Sequence, residues 1–379
     1  HFMIAHLQNG RYGSTQILRP DTAAQMHGSA LTILPRVNRM LLGFYENNYN
    51  GHRVISHGGD TQWFHSELNL FIDDGVGLLV SMNSTGKDGA AQGIRSTLFH
   101  EFADRYLPAP AYNGNVNEKT AAEQKTAAEH AAMIAGHYIG SRRFDSSFMS
   151  LLNVISEAKV IDNGDGTIGV SSIVSPSGVP ERWREIAPFI WREENGKDLL
   201  AARVEGGKVV RFSFDEVSPF QMYDRPAPSK SGAWWLPVLA ASVSVLLLGS
   251  LAWPAGALAR RRFKASYALS GLNAKAHRAV RIASLAAVLV FLGWATVIIA
   301  MTTALDLISK MNGWIVLLRI LSPIVFLGAA AVGLWNAGVV LRSSRAWFVK
   351  LWAILLAASL LALLGAALTF HLISFRMGF

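Results

Sequence analysis

Arg53-Val54-Ile55-Ser56-His57-Gly58-Gly59-Asp60 is the stretch on which the reading of this chain turns. His52-Arg53-Val54-Ile55-Ser56 predicts a strand, centred on β-branched Val54 and Ile55, that ends at a glycine pair. Ser66 to Phe71, the turn Asp73-Asp74-Gly75 and Val76 to Met82 continue it as an antiparallel meander. Gly89 to Tyr106 then predicts a helix packed on that sheet through Phe99, Phe102 and Tyr106, closed by Leu107-Pro108. Upstream, Phe2 to Gly10 predicts a short helix with Phe2, Ala5 and Leu7 near one face, and Pro20-Asp21-Thr22 starts another running to Met26. The chain opens on His1 inside a helical pattern, with neither initiator Met nor signal peptide, so this head is expected to be the C-terminal piece of its domain.

The other end of the chain has a different solvent. Of 379 residues 51% are hydrophobic, too many for an ordinary soluble protein. Four runs, Ala233 to Leu258, Ile282 to Ala304, Gly313 to Leu341 and Ala346 to Ile373, are long enough to cross a bilayer. The net charge of +9 belongs to this part, because residues 233–379 hold 13 Lys/Arg against one acid and the rest holds 22 against 25. That distribution argues against nucleic-acid binding. The positive charge gathers at Arg260, Arg261, Arg262, Lys264, Lys275, Arg278 and Arg281 in one expected loop, and at Arg342, Arg345 and Lys350 in the other. By the positive-inside rule both loops are cytoplasmic, which places residues 1–232 and the C-terminus outside, in the periplasm of a bacterial inner-membrane protein. Trp234, Trp235, Trp314 and Trp347 lie near span ends as interfacial anchors. Arg319 is expected to snorkel to the outer interface. With only Asp306 as an acid in the region, a transporter lacks the intramembrane groups it would need.

Between these ends, residues 109–135 read as a linker becoming an exposed helix, and residues 226–232 as a second linker. Residues 136–225 alternate short apolar runs with turn signals, including Asp162-Asn163-Gly164-Asp165-Gly166, Glu194-Asn195-Gly196 and Gly206-Gly207. This predicts a small antiparallel sheet or barrel, with Phe189, Trp191, Phe212 and Phe214 in its core. The acidic run at Asp162 lacks EF-hand spacing and a closing Glu, so it reads as a hairpin turn and no metal site is expected. Without cysteine, neither disulfides nor a thiolate nucleophile are available.

Taken alone, His57-Gly58-Gly59 is a plain strand-end turn. In sequence with two short helices, Gly43-Phe44-Tyr45, Phe64-His65-Ser66, a hairpin and a closing helix, residues 1–108 resemble the C-terminal part of the serine beta-lactamase-like hydrolases: penicillin-binding DD-peptidases, class C beta-lactamases and related esterases. Residues 136–225 resemble the lipocalin-like domain often appended to them. The resemblance implies that His57 matches the basic position of a Lys/His-Thr/Ser-Gly strand motif and helps move protons. It implies that Gly59 keeps the strand open to substrate, and that the Asp60 backbone N–H is one oxyanion-hole donor. Gly58 stands where the family usually has a hydroxyl that binds a substrate carboxylate, which puts recognition of beta-lactam or D-Ala-D-Ala carboxylates in doubt and leaves ester or peptide hydrolysis open.

The family's other motifs, Ser-x-x-Lys and Tyr-x-Asn, have only decoys here. Ser156-Glu157-Ala158-Lys159 falls in an expected strand, where positions three apart point to opposite faces. Ser84-Thr85-Gly86-Lys87 has glycine inside the would-be turn and comes in the wrong order. Tyr45-Glu46-Asn47 sits only ten residues before the His57 strand and reads as a hairpin loop.

The fold class expected is therefore multi-domain α+β: a partial beta-lactamase-like sheet with packing helices, a small β-domain, then four transmembrane helices over 233–379. The function expected is the C-terminal part of a membrane-anchored, outward-facing serine hydrolase that acts on a peptide, cell-wall peptide or ester through an acyl-enzyme. Its nucleophile would lie upstream of residue 1, leaving this fragment inactive. The partners implied are membrane lipid and a peptide or ester substrate, with no cofactor. The alternative is a noncatalytic membrane-tethered binding or sensor protein built on a degenerate hydrolase fold.

Overall fold

The computed structural model describes residues 1–28, 31–109, 121–174, 178–303 and 309–374, organised as two compact units. The first unit takes in His1–Arg142 and Ala158–Arg225; the second, Arg143–Glu157 and Pro226–Phe379. Residues 110–120 of the expected linker segment lie outside the described residues, as does Asp306.

The first unit begins with α1 (Phe2–Leu7), a two-residue ribbon of β1 (Arg11–Tyr12) and β2 (Thr15–Gln16), and α2 (Pro20–Gly28). An antiparallel sheet follows in the order β3 (Tyr45–Glu46), β4 (Val54–Asp60), β5 (His65–Phe71), β6 (Val76–Met82). The meander matches the expectation from residue 66 onward, but β4 continues through both glycines to Asp60, because the full ladder with β5 carries residues of poor strand propensity. Strand alternation sends Val54 and Phe71 to one face, against Phe99 and Ala103 of α3 (Ala91–Tyr106). It sends Ile55 and Leu70 to the other, against Leu41 and Phe44, with Met3, Leu7 and Met26 from α1 and α2 alongside. Two expected packing residues point elsewhere: Phe2 and Tyr106 are exposed. In α1 the buried polar residue is His6, which shares a 3.0 Å hydrogen bond with His27.

The helix α4 (Ala121–Ile134) is exposed at Glu123, Gln124 and Lys125 and buries Ala127, Ala131 and Ile134 at its other face. Ala131 and Ile134 join the core of a closed eight-stranded antiparallel barrel, so the small β-domain is a barrel and not an open sheet. Its strands are β7 (Gly136–Gly140), β8 (Ala158–Asp162), β9 (Thr167–Val174), β10 (Pro180–Ala187), β11 (Ile190–Glu193), β12 (Leu199–Glu205), β13 (Lys208–Phe214) and β14 (Tyr223–Asp224). Closure leaves no sheet edge unpaired. Trp191, Phe212 and Phe214 are buried inside it as expected, joined by Trp183. Phe189 instead occupies the β10–β11 turn with a positive φ of 58°, its ring 3.9 Å from that of His130. The Asp162–Gly166 turn is closed by its own side chains: Asp162 accepts from Gly164 N–H at 2.8 Å and Asp165 from the Thr167 hydroxyl at 2.6 Å.

Head and barrel share one seam within this unit. Leu34 and Val37 pack with Ile190, Ala201 and Met222. The Asp215 carboxylate accepts from Asn38 N–H at 2.9 Å and from Leu199 N–H at 2.8 Å, while Ser218 Oγ donates to the Asn38 carbonyl at 2.6 Å. Lys197 reaches Asp104 at 2.5 Å and Asn50 at 2.7 Å.

In the second unit four helices are long and apolar enough to cross a membrane: α5 (Gly232–Arg262), α6 (Gly271–Thr303), α7 (Asn312–Leu341) and α8 (Trp347–Thr369). Lys275, Arg278 and Arg281, expected in a loop, instead form the first turns of α6, which extends its apolar run by eleven residues. The run Leu151–Ile161, expected as one strand, is divided: its start belongs to the 3-10 helix Phe148–Val154, and only Ala158–Asp162 pairs in the barrel. The Phe148 ring packs 4.8 Å from that of Trp294, and the Arg319 guanidinium lies 6.0 Å from the same Phe148 ring. Trp234, Trp314 and Trp347 are exposed, as anchors require, but Trp235 is buried with its ring 5.5 Å from Phe370. Gly249 and Gly333 face Leu356 and Leu360 so closely that a β-carbon would come within 2.9 Å and 2.8 Å, which lets α5 and α7 approach α8. Trp294 donates to Ser322 Oγ at 2.8 Å, satisfying a fully buried indole.

Candidate functional site

Strand β4 runs from a buried start at Val54 and Ile55 to an exposed end at His57, Gly59 and Asp60. Its β5 edge is paired throughout, up to Asp60 opposite His65. On the other edge β3 is registered only on Ser56 and Ile55, so among the described residues no strand covers Gly58–Asp60. The Gly58 N–H on that edge donates to Tyr45 Oη at 2.8 Å. Backbone N–H groups alternate along a strand, so the Asp60 N–H points to the same open edge. A β-carbon at Gly58 would lie 3.1 Å from Tyr45 Oη, whereas one at Gly59 would meet nothing within 4 Å. Gly58 is thus filled by a neighbour's hydroxyl, and Gly59 leaves the strand surface bare.

That edge opens on a cavity of about 720 Å³. Its wall includes all the sequence-predicted site residues except Gly59, together with Tyr45, Arg95 and the barrel residues Asp198, Glu216 and Phe220. His57 is exposed, its ring 6.0 Å from that of Tyr45. The Asp60 side chain, by contrast, is tied down: it accepts from His65 Nδ1 at 2.6 Å and from Arg95 at 3.0 Å. Burial pushes the Asp60 carboxyl up, and the His65 and Arg95 hydrogen bonds outweigh it, holding the group below its usual range. Arg95 is itself buried and also donates to the Ser66 carbonyl at 2.8 Å. Position 60 therefore has two parts, a carboxylate that fixes the end of the hairpin and an N–H that faces the cavity.

The barrel supplies an acidic wall. Burial, with Asp215, Glu216 and Glu181 nearby, pushes Asp198 up to about 7. Burial also carries Asp215 up to about 6 against the two N–H groups it accepts from, and pushes Glu67 up on the sheet side. Phe220 meets Tyr45 edge-on at 5.8 Å.

Sequence reasoning set Tyr45 aside as a loop residue; it lies in β3, and its string with Asn47 was the signal for it. Nothing in the local sequence marked Arg95, Asp198 or Asp215, which reach the cavity only through tertiary packing. Neither Ser-x-x-Lys decoy forms a helical turn. Ser84 Oγ accepts from Gly86 N–H at 3.1 Å in a bend, and Ser156 lies between the 3-10 helix and β8. Ser96 of α3 is the serine in the cavity wall, and no hydrogen bond joins it to His57 or His100 among the described residues.

No protein-family model matches the chain, and no curated protein matches it. Among solved structures it is similar to SurE, at 13% identity and a TM-score of 0.33 over 59% of this chain and 47% of that one. SurE with D-Leu gives 14% identity and 0.31, over 55% and 44%. The octameric penicillin-binding protein homologue from Pyrococcus abyssi gives 10% and 0.21, over 58% and 44%. The chain spans less than half the length of each of these proteins.

Proposed function

We propose that this chain is part of a membrane-anchored serine hydrolase of the beta-lactamase-like class, acting on a peptide, a cell-wall peptide or an ester through an acyl-enzyme, with its head on the outer side of a bacterial inner membrane. The observation that carries the reading is the open edge of β4, where His57 and the Asp60 N–H face one cavity of about 720 Å³. In this reading an acyl carbonyl lies along the edge, its oxygen accepts from the Asp60 N–H as negative charge develops, and His57 carries a proton to or from the leaving group. Bare Gly59 lets the substrate backbone approach, and the Tyr45 hydroxyl stands where position 58 has no side chain. The acylated serine is not supplied by the cavity wall described above, so the reading requires one from another segment. The basic loops at the ends of α5 and α7 support the assigned orientation.

Membranes carrying this chain, and membranes carrying the product of the complete reading frame, would be treated with a fluorescent fluorophosphonate and separately with a fluorescent penicillin. Labelling of the longer product alone is the expected outcome. Failure of a folded longer product to react with either probe would sink the hydrolase reading. It would favour the second one, a noncatalytic membrane-tethered binding protein.

A further inference from the structure

The helix bundle holds a second polar cavity, of about 230 Å³, at the end where α5 meets α6 and α7 meets α8. Arg281, Arg345, His277 and Asn336 line it, backed by Phe348 and Trp352. Asn336 is 3% exposed, and its side-chain amide lines the cavity with no hydrogen-bond partner among the described residues. Arg281 donates to His277 Nε2 at 3.1 Å and to the Gly249 carbonyl at 2.9 Å. Because Nε2 accepts, His277 Nδ1 carries the proton and donates to Tyr267 Oη at 2.8 Å. Arg260 and Arg278 flank the Tyr267 ring at 5.1 Å and 5.5 Å.

No carboxylate balances these guanidiniums among the described residues. Among the described residues the acids of the second unit, Asp145 and Glu157, lie at the other end of the helices, where Glu157 accepts from Gly232 N–H at 2.6 Å and the Asp145 carbonyl meets His371 at 3.1 Å. Asp306 follows the far end of α6 in the chain. Two half-buried cations and an amide facing one cavity suit an anion with several acceptor oxygens. A phosphate fits that donor set, and the aromatic wall within membrane-spanning helices fits acyl chains attached to it.

We propose that the cavity bounded by Arg281, Arg345 and Asn336 binds the phosphate of an anionic lipid headgroup. The test is native mass spectrometry of the full chain in neutral detergent with equal amounts of phosphatidylglycerol and phosphatidylcholine, whose ammonium cancels the phosphate charge. Retention of phosphatidylglycerol roughly tenfold over phosphatidylcholine is expected. Arg281→Gln with Arg345→Gln, and separately Asn336→Leu, should bring the ratio close to parity, while Arg262→Gln, exposed at the same end and outside the cavity, should leave it unchanged. Melting midpoints in phosphatidylcholine micelles report whether each variant is folded, and Asn336→Leu decides the matter if the arginine pair is not. Equal retention by the wild-type chain, or selectivity surviving in a folded cavity variant, would overturn the proposal. Displacement of the lipid by millimolar inorganic phosphate, with a phosphate-dependent rise in melting midpoint, would overturn the lipid source and assign the cavity to soluble phosphates.

Discussion

Tyr45 Oη accepts the Gly58 N–H at 2.8 Å and occupies the space that a side chain at position 58 would enter, 3.1 Å from where its β-carbon would be. Hydroxyl and glycine are therefore one coupled feature. Tyr45→Phe leaves the N–H without its partner and is expected to cost about 1 kcal/mol. Gly58→Ala pushes on the hydroxyl and should cost a similar amount. In the double variant the methyl meets no oxygen, so the combined loss should be smaller than the sum. Urea unfolding of all three measures the coupling; additive losses would show that the contact carries no energy.

Arg95 is buried and bridges α3 to the β4–β5 hairpin through Asp60 and the Ser66 carbonyl. Arg95→Ala removes the second donor to that carbonyl, which is also paired in the β4–β5 ladder, and one of the groups holding the half-exposed Asp60 ionised, so a loss of roughly 1–2 kcal/mol is expected. Arg95→Lys should recover only part of it, because an ammonium lacks the planar fork that serves both acceptors. Hydrogen exchange read at the 57–66 hairpin should accelerate in both, more in Arg95→Ala. Unchanged protection in Arg95→Ala would contradict the bridging role.

Asp198 has its carboxyl pushed up to about 7 by burial and by Asp215, Glu216 and Glu181. The folded chain thus binds a proton that the unfolded chain has already released, and this group's contribution to stability falls as pH rises from about 4 towards 7. Asp198→Asn removes that slope. Burial, His6 and Arg53 push His27 down to about 4, so its own contribution runs the other way between about 4 and 6.5. Comparing variant with wild type cancels it. The melting midpoint of Asp198→Asn should gain on wild type from pH 5 to pH 8, and a constant difference would show that Asp198 does not titrate in that window.

The chain contains no cysteine, so single cysteines can be placed without background. Thr85→Cys, on the exposed bend before α3, should react with a membrane-impermeant maleimide added to spheroplasts. Ala265→Cys, between α5 and α6, should react only after permeabilisation. The opposite pattern would invert the proposed orientation.

The fold was legible where local chemistry and tertiary context agree. Turn signals such as Asp162-Asn163-Gly164 punctuate the barrel, and its strands, two to eight residues long, fall between them. Gly58 and Gly59 stopped the expected strand at Ser56 because glycine has little strand propensity of its own; the ladder with β5 overrides it. Leu151 to Ile161 reads as one strand because periodicity over so short an apolar run does not separate strand from helix, and its first residues belong instead to the 3-10 helix Phe148–Val154 packed on the bundle. Lys275, Arg278 and Arg281 were assigned to a loop by charge, though their spacing of three is also that of one helical face. In the candidate site, β4 was readable from its motif. The acidic barrel wall was not, since Asp198 and Asp215 stand about 140 residues or more beyond it in the chain and meet it only after folding.

The Asp215 carboxylate accepts one N–H from the barrel and one from the chain leading into β3, with each oxygen committed to a different partner. A bond shared in this way ties the inheritance of the two parts together. A barrel exchanged for that of another protein would have to bring an acceptor at the same spot, or leave the Asn38 N–H dry and the rim of the cavity unsupported. The β-barrel is therefore not a freely tradable cargo module, and cutting the gene between α3 and α4 would yield a head missing one side of its own cleft.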